Sequence, residues 1–185
     1  MTFRLILILA FAFVAGTASA QEAVEPLPPA TIGVIDSQYI LINSDASQGI
    51  RAQIESIRDT YSAEITQLED GLRAQEQELS RQRAVLAPEA FDERLRVFEG
   101  AVDRVQRMVE GRNDQMDRAF NEAMGQVRDA LLQVIVELSQ SRGFNIILEQ
   151  SDILFAVVAL DITDEVIARL NEILPNVEVP IPDDG

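Results

Sequence analysis

Residues 48–86 contain no proline, and their apolar residues fall at Ile50, Ile54, Ile57, Tyr61, Ile65, Leu68, Leu72, Leu79 and Leu86. The steps alternate between three and four, with one four-residue stutter near Tyr61, and Gln75 and Gln82 occupy two skipped places. Two apolar places in seven make a coiled-coil seam. Such a stripe is too narrow for a helix lying on a globular core. At 1.5 Å per residue the run predicts a helix of about 58 Å.

Residues 87–89, Ala-Pro-Glu, interrupt it. Proline cannot continue the first helix, yet it suits the first turn of the next. A second seam runs from Phe91 through Leu95, Phe98, Val102, Val105 and Val109 to Leu138, and Arg142-Gly143-Phe144 closes it with a cationic last turn and a left-handed glycine cap. Two seamed helices with a short break form an antiparallel hairpin, here with its turn at 87–88. The second run, 89–142, outlasts the first. Its surplus residues, 126–140, include Leu131, Val134, Ile135 and Leu138, apolar on more than one face. That end is expected to enter a core, while the Pro88 end projects away from it.

Short β-branched runs flank the hairpin. Residues 31–36 predict a strand, with Asp36 capping a short helix over 37–43. Residues 144–149 and 153–159 predict two more strands, and 164–174 a last helix. Pro175, Pro180, Pro182 and two terminal aspartates predict a disordered tail over 175–185. Three strands are near the minimum for a stable sheet and cannot close a barrel alone. The expected fold is therefore α+β, a long antiparallel helical hairpin (a coiled-coil arm) on a small β body completed by oligomerisation. The body comprises 31–47 and 126–174, the arm 48–125. Ile32, Val34, Leu131, Val134, Ile135, Leu138, Ile146, Leu148, Leu154 and Phe155 are the expected residues of the oligomer body.

The start of the chain is expected to be an address. Arg4, an apolar run over 5–16 and the sequence Thr17-Ala18-Ser19-Ala20 form the three parts of a secretory signal cleaved after Ala20. Twelve apolar residues are too few to span a bilayer, and no cysteine follows to carry a lipid. Residues 21–30, with three prolines, predict a flexible leader.

Composition removes most chemistry. The 185 residues include no Cys, His, Trp or Lys, and all 15 basic residues are Arg. This excludes a Ser-His-Asp or Cys-His pair, a nitrogen–sulfur zinc site, a Walker A loop and a Schiff-base lysine. We expect no catalytic residues, metal or cofactor. A net charge of −16 argues against nucleic acid, whose phosphates it repels. Asp161, Asp164 and Glu165 form the one carboxylate cluster in a plausible loop, and helix capping explains them better than acid–base work. Arg94, Arg96, Arg104, Arg107, Arg112, Arg118 and Arg128 alternate with acids and predict a mixed, solvated helix face.

The order of strand, short helix, long hairpin, strands and last helix resembles the Skp (OmpH-like) periplasmic chaperones. Residues 32–36 (Ile-Gly-Val-Ile-Asp), 143–149 (Gly-Phe-Asn-Ile-Ile-Leu-Glu), 151–156 (Ser-Asp-Ile-Leu-Phe-Ala) and 160–171 carry the likeness, which spans 31–174. The resemblance implies a homotrimer with a small β-barrel body and three helical arms around a cavity. That cavity would hold unfolded outer-membrane proteins in the periplasm without ATP. The family is typically basic and this chain is acidic, but residues 71–96 around the tip carry five Arg against five acids. Leu72, Leu79, Leu86, Phe91, Leu95 and Phe98, with Arg73, Arg81 and Arg83, are the candidate client-binding residues. Contact with a membrane surface stays open, as does a second reading, a structural coiled-coil protein that spaces or tethers envelope components. A tether should display a partner patch or lipid anchor, and neither is evident.

Overall fold

The computed structural model describes residues 27–180; the expected signal peptide, residues 21–26 of the leader and residues 181–185 lie outside them. The elements are β1 (Ile32–Ile35), α1 (Ser37–Asn43), α2 (Asp45–Gln82), α3 (Pro88–Arg142), β2 (Ile146–Glu149) and α4 (Thr163–Ile173). Single 3-10 turns cover Gln150–Asp152 and Val158–Leu160.

Local chemistry explains the boundaries. The Asp36 carboxylate accepts the Tyr39 N–H at 2.7 Å and starts α1. Ser44, extended at φ −64° and ψ 147°, alone separates α1 from α2, and its buried hydroxyl donates to Ser47 Oγ at 2.8 Å. α2 stops at Gln82, four residues before the expected end. Residues 83–86 instead form a turn in which the N–H groups of Val85 and Leu86 both donate to the Gln82 carbonyl. Ala87 is extended, as the residue before a proline must be, and Pro88 opens α3. Gly143 ends α3 at φ 75°, a left-handed conformation that favours glycine.

α3, with 55 residues, is about 82 Å long. α2 and α3 run side by side, but the core lies at one end of them. α2 buries only Ala46, Ser47 and Ile50, and α3 only residues from Ala119 to Leu138. Ile40, Val166 and Leu170 from the short elements complete this core. Ile54 and Ile57 still pack against the edge of this core, and beyond Ile57 α2 runs about 38 Å further beside α3 to Gln82. The surplus turns of α3 thus bury one face in the body, through Val127, Leu131, Val134 and Leu138. Leu132 and Val136 on the other face stay 62% and 55% exposed, so the expectation of burial on most sides is met only in part.

β1 and β2 pair in parallel, Ile32 opposite Ile146 and Ile35 opposite Glu149. The whole hairpin is their crossover connection. Gly33 permits close packing here, since a Cβ would lie 2.9 Å from Ile147 Cδ1 and 3.2 Å from Ile162 Cδ1.

Two expectations fail. Residues 153–159 are not a third strand; they form an irregular excursion, and Asp161 alone makes an isolated bridge to Val34. The reason is a missing neighbour, because a β-branched run becomes a strand only where another strand can satisfy its backbone. The expected tail also behaves otherwise over 175–180: Val177 and Val179 are only 4% and 9% exposed and join the core.

Candidate functional site

The tip of the arm carries a shallow groove of about 260 Å³ between α2 and α3, lined by Gln75, Glu78, Leu79, Gln82, Glu93, Arg94, Val97 and Phe98. Gln82, in a seam place that lacks an apolar residue, is half-buried. It accepts from Arg94 at 2.6 Å across the helices and donates to Glu78 at 2.6 Å. Leu72, Leu79, Leu86, Phe91, Leu95 and Phe98 are each half-buried, so seam packing covers one side of each and leaves the other to solvent. Val85 and Val97, which the sequence did not single out, are strongly exposed beside them. Val85 belongs to the turn and Val97 lies off the seam, so no periodicity marked either.

The tip arginines do not form a basic patch. Arg73 pairs with Asp70 at 2.6 Å and Arg81 with Glu78 at 3.4 Å, each one turn away on the same exposed face. Arg96 does the same with Glu93 at 2.7 Å. Arg83 makes no ion pair among the described residues. Salt weakens such exposed pairs readily.

Arg112 departs from the expected solvated face. Its side chain is only 12% exposed, its guanidinium lies over the Tyr61 ring at 4.1 Å, and it reaches Glu64 at 3.5 Å. Nearby, Gln115 Oε1 is buried without a hydrogen-bond partner. The stutter at Tyr61 is the sequence signal that marks this place, because a stutter shifts the seam and opens room for a long side chain.

The residues expected to build an oligomer body divide into two sets. Val34, Leu131, Val134 and Leu138 are buried in the chain's own core, and Ile32 and Ile135 are partly so. Ile146 and Leu148 of β2 point outward, and the excursion that follows exposes Leu154 completely and Phe155 to 81%. Val157 and Val158 are exposed with them. This segment lines a cleft of about 290 Å³ together with Val34, Gln150 and Asp161. The outer edge of β2 has no partner strand among the described residues.

The carboxylate cluster opens α4, with Asp164 and Glu165 in its first turn, although the N-cap residue is Ile162 rather than Asp161 or Thr163 and makes no side-chain cap bond. Asp161 accepts the Thr163 N–H at 2.9 Å, and Thr163 Oγ1 accepts the Asp36 N–H at 3.0 Å. Glu165 is bound by Arg142 through both oxygens, at 2.9 and 3.0 Å. Among the described residues no group of three acids could hold a metal ion. On the body's outer surface Glu137 accepts from Gln133 and pairs with Arg169. The Gln133 amide first, and Arg169 second, hold its carboxyl below the usual range.

The order of these elements and their arrangement have a counterpart among known proteins. The model of the outer membrane protein (OmpH-like) family matches residues 31–170. The chain belongs to the OmpH-like family. A crystal structure from Caulobacter crescentus CB15, described as a candidate outer membrane chaperone (OmpH-like), matches with a TM-score of 0.78. The match covers 88% of this chain and 96% of that one at 18% identity, a likeness of fold. No curated protein matches the chain. The arm and nearly all of the body of this OmpH-like chain fall within the family match, which stops inside α4, so residues 171–180 lie beyond it.

Proposed function

We propose that this OmpH-like protein is an ATP-independent holdase of the periplasm that keeps unfolded outer-membrane proteins soluble within a cavity formed by helical arms. Three copies join through their strand bodies and project three arms from one end. The observation that carries this reading is the contrast between the two ends of the molecule. At the body, an unpaired β edge lies beside the bare apolar residues 154–158. Long exposed edges and apolar patches invite pairing with another chain, and a soluble protein covers them. At the other end, a two-helix arm with half-buried leucines and phenylalanines stands clear of any core.

Unfolded β-barrel precursors expose alternating apolar strands that aggregate. An arm surface offering many weak apolar contacts among paired charges shields them without chemistry and without binding them too tightly to release. Leu79, Leu86, Phe91 and Phe98, with Val85 and Val97, are the contacts we assign to clients. The fold likeness to a candidate outer membrane chaperone supports the same reading.

The test is aggregation of a urea-unfolded outer-membrane protein after dilution into buffer, followed by light scattering. The processed chain, beginning at Gln21, should suppress scattering without nucleotide. Scattering equal to that of the client alone would reject the proposal.

A further inference from the structure

After α4 the chain continues as an extended segment that reaches α2. Val177 and Val179 enter the core while Glu178 between them faces solvent, the alternation of a strand. Its partner is a side chain. Gln53 Nε2 donates to the Val177 carbonyl at 2.8 Å, and Gln53 Oε1 accepts the Val179 N–H at 3.0 Å. One amide thus supplies the donor and the acceptor that a neighbouring strand would have given. Gly49, one turn earlier on α2, lets the segment approach, since a Cβ there would lie 3.1 Å from Asn176 Oδ1. Asn171 of α4 adds a further tie by accepting the Asp45 N–H at 2.9 Å.

Position gives this segment its consequence. α4 packs on α1 and α3 and belongs to the body. Gln53 lies just beyond Ile50, the last fully buried residue of α2, where the helix begins to leave the core. The segment therefore ties the body to the arm at the point where the arm becomes free, and its residues follow the matched span 31–170.

We propose that residues 175–180 are a strap that sets the angle of the arm on the body and limits how far the arm swings outward. With the strap seated, α2 is held from two sides, by α3 and by the Gln53 clamp. With it released, the base keeps α3, the Asp45–Asn171 bond and the Arg51 bonds to the Leu41 and Ile42 carbonyls, and loses its hold at Gln53, where the arm leaves the body. In the holdase reading above, on which this consequence rests, the strap sets the width of the cavity and so the size of client admitted.

The chain has no cysteine, so two introduced ones can be labelled cleanly. Spin labels at Ala84→Cys, in the tip turn, and Ala168→Cys, on the exposed face of α4, report the tip-to-body distance, with unlabelled protein in excess to suppress signals between copies. The distribution is compared among the otherwise unaltered chain, a chain ended after Leu174, and Gln53→Leu, which keeps the bulk but removes both hydrogen bonds. Both variants should broaden the distribution, and amide exchange over residues 49–57 should quicken by about tenfold or more while that of 163–170 stays unchanged. Unaltered distributions in both variants would overturn the strap. If the shortened chain loses its far-ultraviolet helical signal, Gln53→Leu alone decides, by the same criterion. The labels are read without a client. A chain that loosens on truncation yet fails the aggregation assay would therefore sink the holdase reading and leave the strap standing.

Discussion

The guanidinium carbon of Arg112 lies 4.1 Å from the centre of the Tyr61 ring, across the helix pair and at the one stutter in the α2 seam. A cation stacked on a ring and shielded from water contributes more than an exposed ion pair. The mid-arm is thus held by a polar contact where two regular heptads would have used apolar ones. Arg112→Ala should weaken local pairing by about 1–2 kcal/mol, through lost stacking and lost packing of its stem. Amide exchange over residues 57–68 and 108–116 checks this: it should quicken there and stay unchanged in α4. Arg112→Lys should recover only part of the protection, because an ammonium stacks less well than a planar guanidinium.

Leu131 is buried, 5% exposed, in the core cluster of its own chain. Leu131→Ala should cost about 2–5 kcal/mol by opening a cavity, and Leu131→Asp at least as much, because it places a charge where nothing can pair with it. Thermal unfolding by circular dichroism measures both. The loss should appear as unfolding of the body, rather than as clean separation of intact subunits.

Glu137 links α3 to α4 through Arg169, and its carboxyl is held below the ordinary range by Gln133 and Arg169. A group with a lowered folded pKa stabilises above its unfolded pKa, and that contribution fades as pH falls through the folded one. At neutral pH the parent chain should therefore be slightly more stable than Glu137→Gln. Melting temperatures taken from pH 7 down into the acidic range should converge as the carboxylate protonates. A gap that widens on acidification would contradict the pairing.

The features readable from sequence were those set by near neighbours. The Asp36 cap, the Pro88 start and the Gly143 stop each act within a few residues, and the structure uses all three. The arm was readable because a seam repeats. What escaped depends on partners far along the chain. Residues 153–159 have strand composition but no strand to pair with, so they lie exposed as an excursion. Val177 and Val179 sit among prolines that suggest disorder, yet Gln53, more than 120 residues away, gives them a partner. Arg112 looked like one charge in a mixed face, and only the facing helix shows that it is shielded. At the tip, the half-buried leucines and phenylalanines followed from the seam, whereas Val85 and Val97 lie off it.

Leu154 and Phe155 touch little of their own chain, so their replacement separates assembly from folding. Leu154→Asp with Phe155→Asp should leave the far-ultraviolet helical signal of the chain unchanged, since both side chains are exposed on it, while any loss of melting temperature should reflect lost assembly. The same pair of charges would be costly inside an interface.

Sedimentation equilibrium of the processed chain, with and without these two substitutions, tests the claim that several copies complete the body. The account predicts three times the chain mass for the parent protein and a folded, smaller species for the variant. A parent protein that sediments as a stable single chain, with residues 154–158 still open to solvent, would contradict it.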